Sequence, residues 1–336
     1  MSPENAYCTG TSGEPDRQLL EALAAGPVSG NTLAAALGLG RAAVWKRIEA
    51  LREAGITIEA SPGRGYRLGQ PLELLDGGRI CAGLAASVRE MLSDLQVAWR
   101  LASSNSALLA LPAPAQGTRV LLAEQQTAGR GRLGRAWVSP LVANLYLSVD
   151  RRFQGGLARL PGLSLVAGIA AAEALREASA LDIRLKWPND LWLDERKLGG
   201  LLVEGGGEFA GPARAVIGLG VNVAMPSAFA QGITQAWADL ARHMASPPSR
   251  NGLAIAILDR LLPALQVFDR EGLAAFHARW QALDALAGRD IDIVRDAERE
   301  PAHALGLADD GGLRVRLPDG SMRVVYSGEV SVRLPS

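Results

Sequence analysis

From Pro15 onward the apolar positions first repeat at helical spacing. "RQLLEALAA" places its leucines on one helical face and stops at Gly26-Pro27. "SGNTLAAALGLG" follows, with Asn31 and Thr32 in N-cap position and Gly38 ending a short helix. In "RAAVWKRIEALREAG", Val44, Ile48 and Leu51 form the apolar stripe of a third helix, closed by Gly55. The spacing then changes. "ITIEASPGRGYRL" alternates, breaks at Pro62-Gly63 and alternates again, as two strands around a tight turn do. Helix, helix, three-residue turn, helix and hairpin is the order of a winged helix-turn-helix, here spanning 15–70. Residues 1–14 are small, polar and without periodicity, and read as a disordered tail. Gln70-Pro71 reads as a hinge.

Residues 72–284 mix both spacings. "NLYLSV" (144–149), "DIRLKW" (182–187) and "ARAVIGLGVNV" (213–223) read as strands, and "DLWLDERKLGGLLVEG" as a hairpin turning near 194–196. Helices are expected near 80–93, 104–111, 161–178 and 253–284. This predicts a central mixed α/β domain. Residues 286–336 are short strands separated by "ADDGG" and "LPDGS", both hairpin signals, and predict a small SH3-like β-barrel. The fold class is therefore multidomain α+β, without internal repeats.

Composition narrows the function classes. The 336 residues balance 35 Lys plus Arg against 35 Asp plus Glu, so no global field draws the chain to nucleic acid or membrane. Any such partner must be argued from local patches. Two cysteines, Cys8 and Cys81, supply neither a disulfide framework nor a zinc set. "MSPENAYCTGTSGEPD" has no basic-then-apolar leader pattern, and a cytoplasmic location is expected. "LSLVAGIAAAEAL" (163–175) is too short to span a bilayer and reads as a core helix, so no membrane partner is expected. His243, His277 and His303 are far apart without ligand spacing, and no metal site built from protein ligands alone is expected.

Three stretches carry candidate chemistry. "AEQQTAGRGRLGRAW" packs three glycines and three arginines into 129–135. It lacks the Lys-Ser/Thr of a phosphate-binding P-loop. "GRGRLG" meets the dinucleotide spacing literally, but Pro140 follows and no helix opens. Glycines let backbone N–H groups converge on an anion, and arginines add permanently charged forks. The loop thus suits a phosphoryl or acyl-phosphate group. Without one, three like charges should keep it mobile. In "KWPNDLWLDERKLGG", Asn189-Asp190 follow a strand ended by Pro188, and Lys197 lies on the returning strand. That sets an acid and a lysine at a pocket mouth. An ordinary hairpin with a turn-capping Asn-Asp is the plain alternative. In "ASSNSALLA", Ser103-Ser104-Asn105 sits where an N-cap belongs, which by itself explains one of the three.

In this order and spacing, "GRGRLGRAW", "NLYLS", "KWPNDL", "RKLGGLLVE" and "IGLGVNV" closely resemble biotin protein ligase. The terminal domains resemble the bifunctional bacterial form, which also represses biotin-synthesis genes. The resemblance covers nearly the whole chain. It implies ATP (with Mg²⁺) and biotin as reactants, a biotin carboxyl carrier domain and operator DNA as partners, and a homodimer that the adenylate can induce. It implies biotin contacts from Ser103, Ser104, Asn105, Gln126, Arg130, Gly131, Arg132 and Lys197. The adenylate and ATP would meet Gly129, Arg132, Arg135, Trp137, Lys186, Asn189, Asn222 and Trp237. Lys197, Arg132 and Asp190 would be catalytic. Glu329 and Arg333 would assist ATP or the carrier. The chain departs from the family at Ala102, often aspartate, and in "AMPSAFAQGITQ", which lacks the paired arginines opening that loop in the well-known repressor.

For DNA, residues 41–67 hold six basic and three acidic side chains. Arg41, Lys46, Arg47 and Arg64 are the candidate contacts. Trp45 either packs in the domain core or meets a thymine methyl. A palindromic operator would require a dimer, because one such domain reads one half-site. Two other readings stand beside the ligase-repressor. A lipoate ligase shares the fold, but the GRGRxGR and KWPND motifs and the helix-turn-helix argue against it. A DNA-binding regulator with a catalytically weak ligase-like domain would not need the intact Arg132, Lys197 and Asp190.

Overall fold

The computed structural model describes residues 8–10, 14–61, 63–154, 160, 162–207, 212–246, 248–295, 298–328 and 330–335. Three residues of the expected tail form a strand, β1 (Cys8–Gly10), which pairs parallel to a central-domain strand through Cys8↔Leu95 and Gly10↔Val97. The expectation of a wholly disordered tail is corrected there. Its other residues, apart from Glu14, lie outside the described ones. The winged domain follows as α1 (Pro15–Ala24), α2 (Gly30–Leu37), α3 (Arg41–Glu53), β2 (Ile58–Ser61) and β3 (Gly65–Leu68). Leu19, Leu20, Leu33, Val44, Ile48 and Leu51 fill its core. The cap of α2 is Ser29, whose Oγ accepts from the Thr32 N–H at 3.1 Å. Asn31 and Thr32 therefore lie inside the helix rather than capping it.

The central domain contains α4 (Gly77–Gly83), α5 (Ala86–Arg89), β4 (Leu92–Leu101), α6 (Ser104–Leu109), β5 (Thr118–Gln126), β6 (Leu145–Phe153) and α7 (Leu163–Ser179). It continues with β7 (Arg184–Lys186), β8 (Asp190–Leu193), β9 (Arg196–Gly207), β10 (Ala213–Val221), α8 (Ser227–Ala230), α9 (Arg250–Glu271) and α10 (His277–Leu283). One sheet runs β1-β4-β5-β6-β10-β9-β8-β7, parallel at β1/β4 and β4/β5 and antiparallel elsewhere.

Two expected helices are corrected. The span near 80–93 is two short helices and the start of β4, where Leu95, Val97 and Trp99 alternate into the interior. The span 253–284 breaks at Gly272, whose φ of 72° and ψ of −160° no α-helix accommodates. Cys81 is disulfide-bonded, against the expectation that the cysteines form no bridge; α4, which carries it, lies against β1. α9 is long and apolar enough to cross a bilayer, but it packs on α7 with its leucines in the common core.

Strand alternation separates two faces of the sheet. On β10, Ala215, Ile217, Leu219 and Val221 enter the main apolar core that also holds α7 and α9. Val216, Gly218 and Gly220 point the other way, toward α6. Gly218 is opposite Leu202 on β9 and Ser148 on β6, and Gly220 is opposite Gly200. One face is thus packed solid, and the other is free of side chains at Gly200, Gly218 and Gly220.

The C-terminal strands β11 (Asp290–Arg295), β12 (Glu298–Leu307), β13 (Leu313–Arg316), β14 (Met322–Val325) and β15 (Ser331–Arg333) form an antiparallel sheet ordered β14-β13-β12-β11-β15. Trp187 Nε1 donates to the Gly311 carbonyl at 3.1 Å and ties this unit to the central domain.

The segment between the winged and central domains is fixed by a buried polar cluster. Glu124 on β5 accepts from the Leu75 N–H at 2.6 Å and from Arg250 at 2.7 Å. Arg250 also donates to the carbonyls of Glu73 and Asn144. Glu124 is fully buried and Arg250 is 5% exposed, so neither charge can turn to water. Arg250→Met should destabilise the chain by about 3–5 kcal/mol, because it strands the Glu124 carboxylate. Adding Glu124→Gln should recover part of that loss. Urea unfolding of both variants checks this, and a wild-type midpoint for Arg250→Met would refute it.

Candidate functional site

The bare sheet face opens a cavity of about 840 Å³. That is within the usual size of a small-molecule site. A Cβ on Gly218 would stand 2.5 Å from Asn105 Oδ1, and one on Gly220 would stand 2.6 Å from the Trp137 indole. The alternating glycines of "GLGV" are therefore the floor that admits Asn105 and Trp137.

All of the expected ligand and catalytic residues line this cavity except Gly129: Ser103, Ser104, Asn105, Gln126, Arg130, Gly131, Arg132, Arg135, Trp137, Lys186, Asn189, Asp190, Lys197, Asn222 and Trp237. Gly129 acts through its backbone. Its carbonyl accepts from the Trp137 N–H at 2.8 Å, and a Cβ there would stand 2.8 Å from the Trp137 carbonyl. A second bond, Gly131 N–H to the Arg135 carbonyl at 2.7 Å, closes the arginine loop. The loop expected to be mobile is thus a hydrogen-bonded turn. Leu133 (φ 55°) and Gly134 (φ 69°) make the turn in the left-handed region.

One end of the cavity is a neutral hydrogen-bonded wall. Ser103 caps α6, its Oγ accepting from the Ser106 N–H at 3.4 Å. Gln126 Oε1 accepts from the Ser104 N–H at 2.8 Å and lies 3.0 Å from its hydroxyl. Ser148 stands 2.7 Å from both Ser104 Oγ and Asn105 Oδ1. Ser148 and Glu204 were not singled out from the sequence. Their signal is strand alternation, since Gly200, Leu202 and Glu204 share one face of β9 with Gly218 across the ladder.

The other end is strongly cationic. Lys197 Nζ lies 2.8 Å from Asp190 Oδ1, both side chains 17% exposed. It also sits 5.6 Å from the Trp137 ring centre. Lys186, over the Trp192 ring, is pushed down to about 8, chiefly by burial; Lys197, Arg333 and Arg135 add to this and Asp190 opposes it. Burial likewise draws the Arg132 guanidinium below its usual range, with Asp190 opposing. Arg132 donates to Asn189 Oδ1 at 3.2 Å and to the Ser327 carbonyl of the C-terminal unit. Arg333 of β15 also lines this end, while Glu329 falls outside the described residues. The Trp137 indole N–H is buried without a hydrogen-bond partner among the described residues. An unspent donor among crowded cations fits a polyanionic ligand. Among the described residues no three His, Cys, Asp or Glu gather as a metal site. Asp190 alone among the expected residues is a carboxylate at this end, which suits Mg²⁺ arriving with phosphates.

A parallel bridge holds the far wall. Lys197 N–H donates to the Ala236 carbonyl and Ala238 N–H to the Lys197 carbonyl, both at 3.0 Å. Asn222 Nδ2 donates to the Ala238 carbonyl at 3.0 Å, and Arg242 stacks 4.4 Å from the Trp237 ring centre.

In the winged domain Arg41, Lys46 and Arg64 are exposed. Arg47 is half-buried and pairs with Asp16 of α1 at 2.7 Å, so its guanidinium is already engaged within the domain. Arg52 is spent on Glu49 and the Ile58 carbonyl, at 2.6 and 2.8 Å. Trp45 is 55% exposed, which removes the core-packing alternative.

The fold and cavity define a ligase of the biotin/lipoate class carrying a helix-turn-helix module. The model of the Biotin/lipoate A/B protein ligase family matches residues 100–222, that of an HTH domain 16–67, and that of the Biotin protein ligase C terminal domain 294–333. The Bifunctional ligase/repressor BirA of Salmonella typhimurium is 38% identical over 305 residues, covering 91% of this chain and 93% of that protein. The protein of the same name from Bacillus subtilis is 30% identical over 91% of this chain and 94% of its own length. A biotin protein ligase from Aquifex aeolicus, solved with biotin and ATP, shares the fold (TM-score 0.62, 24% identity, 72% of this chain, 100% of that one). The chain belongs to the biotin protein ligase family, in its bifunctional ligase/repressor form.

The Lys186 ammonium is charged below pH 8 and loses its proton above it. Binding of inorganic tripolyphosphate to the purified chain should therefore weaken as pH rises from 7 to about 9. Lys186→Arg should flatten that limb, since a guanidinium stays protonated. Calorimetric titration at several pH values checks this, and a Lys186→Arg profile identical to wild type would refute it.

Proposed function

We infer that this chain activates biotin with ATP to biotinyl-5′-AMP and transfers the biotinyl group to a lysine of a biotin carboxyl carrier domain. We further infer that it represses transcription through its N-terminal domain. The observation that carries the ligase reading is the joining of a neutral, donor–acceptor wall to a cationic end, with Lys197 and Arg132 at the junction. In the first step a biotin carboxylate oxygen bonds to the α-phosphorus and the bond to pyrophosphate breaks. Both reactants are anionic, and the pentavalent phosphorus concentrates more charge on its oxygens. Lys197, Arg132 and Lys186 offset that charge from fixed positions. Mg²⁺ would neutralise the leaving pyrophosphate, and Asp190 would be available to it as a carboxylate ligand. In the second step a carrier-lysine amine bonds to the acyl carbon and AMP leaves with the electron pair of the C–O bond. Lys197 stabilises the developing oxyanion, and Asp190, its partner, orients the ammonium. Closure of the arginine loop keeps water from the mixed anhydride.

Asn189, Asn222 and Trp237 frame the adenylate side, with Arg135, Trp137 and the backbone of Gly129. Arg130 and Gly131 stand beside the biotin carboxylate, and Ser103, Ser104, Asn105 and Gln126 hold the ureido ring. A homodimer is supported by one edge of the sheet. β8 pairs with β9 only as far as Gly200, so the outer edge of 202–206 has no strand neighbour among the described residues. Such an edge is a template for a second copy. The adenylate would reach such a pairing through the loop 224–236, which lines the cavity at Met225 and from Gly232 to Ala236. The cytoplasm, where ATP and carrier domains meet, is the location this chemistry requires.

Pyrophosphate–ATP exchange with biotin, lipoate or octanoate supplied separately tests the reading. Exchange driven by biotin supports it, and exchange driven by lipoate alone would replace the substrate. Lys197→Ala should reduce exchange by about 10²–10³-fold without unfolding the chain. Arg132→Gly should release adenylate and raise indiscriminate protein labelling. Turnover retained by the lysine variant would remove it from the mechanism.

For the N-terminal domain, Lys46→Ala or Arg64→Ala should weaken duplex DNA binding and reduce the salt slope by about one unit each. Arg47→Ala should instead lower the melting temperature and leave that slope unchanged, because its partner is Asp16. Anisotropy titrations across salt concentration separate the two, and a reduced slope in a stable Arg47→Ala would return this residue to the DNA surface.

A further inference from the structure

Glu204 lies behind the neutral wall and touches two residues expected to contact biotin. Its carboxylate accepts from Asn105 Nδ2 at 2.9 Å and from Arg130 at 3.1 Å. Asn105 Nδ2 also donates to the Leu202 carbonyl at 3.2 Å, so both amide hydrogens are committed to the wall. Asn105 Oδ1 takes the Ser148 hydroxyl at 2.7 Å and keeps one acceptor position. With the Ser148 proton given to Asn105, the single Ser104 proton serves both Ser148 Oγ at 2.7 Å and Gln126 Oε1 at 3.0 Å. The direction of this chain is set by the two acceptors at its end, the Leu202 carbonyl and, at the shorter distance, the Glu204 carboxylate. A carboxylate at neutral pH accepts and never donates, so the Asn105 amide cannot turn over.

We propose that Glu204 is a positioning residue that sets the hydrogen-bond polarity of the head-group end, so that Asn105 presents an acceptor to the N–H groups of a cyclic urea. Glu204 acts through Asn105 and stands outside the cavity lining. The same carboxylate steadies Arg130 at the entrance to the arginine loop, where Arg130 also donates to Ser106 Oγ at 2.8 Å. This rests on the biotin reading above and adds the residue that selects for a donor-bearing head.

Calorimetric titration of biotin into the full-length chain tests the proposal, with tripolyphosphate as a control ligand. Glu204→Ala should weaken biotin about tenfold, the size of one lost part-buried hydrogen bond to a charged group. Glu204→Gln should lose a similar factor, because its amide can offer N–H and let Asn105 invert. Tripolyphosphate binding should be unchanged in both. In exchange assays the loss should appear in KM for biotin, with kcat within about twofold. Wild-type biotin affinity in Glu204→Gln would overturn the polarity assignment. Equal losses for biotin and tripolyphosphate would reduce Glu204 to a general stabiliser and overturn it as well. A wild-type chain that binds no biotin would instead remove the underlying reading.

Discussion

A sheet covered on both faces has no room for a ligand unless side chains are missing from one of them. Gly200, Gly218 and Gly220 supply that gap, adjacent across the β9/β10 ladder. Everything in the cavity is placed by it. Asn105 stands over Gly218 because a methyl group there would collide with its amide. Trp137 lies over Gly220 for the same reason, which sets the end of the arginine loop and holds the indole beside Lys197. The opposite face offsets the lost packing: leucines and valines of the same strands bury against α7 and α9. The packed face thus offsets what the glycines cost the sheet.

The charges in that gap are arranged against their own stability. Lys186, Lys197, Arg132, Arg135 and Arg333 share one end with Asp190. Burial and mutual repulsion pull Lys186 down to about 8. A polyphosphate offsets the repulsion among these cations, so the arrangement favours an anion at this end. Asp190 reduces the repulsion without cancelling it, and by pairing with Lys197 it keeps the lysine aimed across the cavity. Trp137 Nε1, a buried donor without a partner among the described residues, is a smaller instance of the same arrangement.

Much of this was legible in the amino-acid order, for identifiable reasons. The winged domain shows itself because its helices are short, amphipathic and glycine-terminated, so local spacing carries the pattern. The motif residues converge because they lie at strand ends and in the loop joining β5 to β6. Partners fixed by tertiary contact were not legible. Arg47 sits on the expected recognition helix, yet its guanidinium turns to Asp16, 31 residues away. Ser148 and Glu204 lie mid-strand, where only register across β6, β9 and β10 reveals a shared face. The helix expected over 253–284 failed at a single glycine, because leucine and alanine spacing continues through Gly272 even though the backbone does not.

The winged domain is not held by a simple tether. Trp99 of β4 and Leu141 bury in the same apolar cluster as Leu19, Ile48 and Leu51. Arg17 of α1 donates to the Leu75 carbonyl at 3.0 Å, and Leu75 N–H reaches Glu124. At the end of α3, a Cβ on Gly55 would stand 2.9 Å from the Phe229 ring of α8. α8 belongs to the loop 224–236, whose later residues line the ligand cavity. Gly55 has φ of +94° and no side chain, so the Phe229 ring abuts its backbone directly. The exposed face of α3, with Arg41, Trp45 and Lys46, is therefore oriented by the same body that holds the reactants. A helix pair on a free linker would lose orientational entropy at each binding event. Here that entropy is lost on folding, through the shared core and the Glu124–Arg250 anchor, and the orientation of α3 becomes a property of the ligase domain.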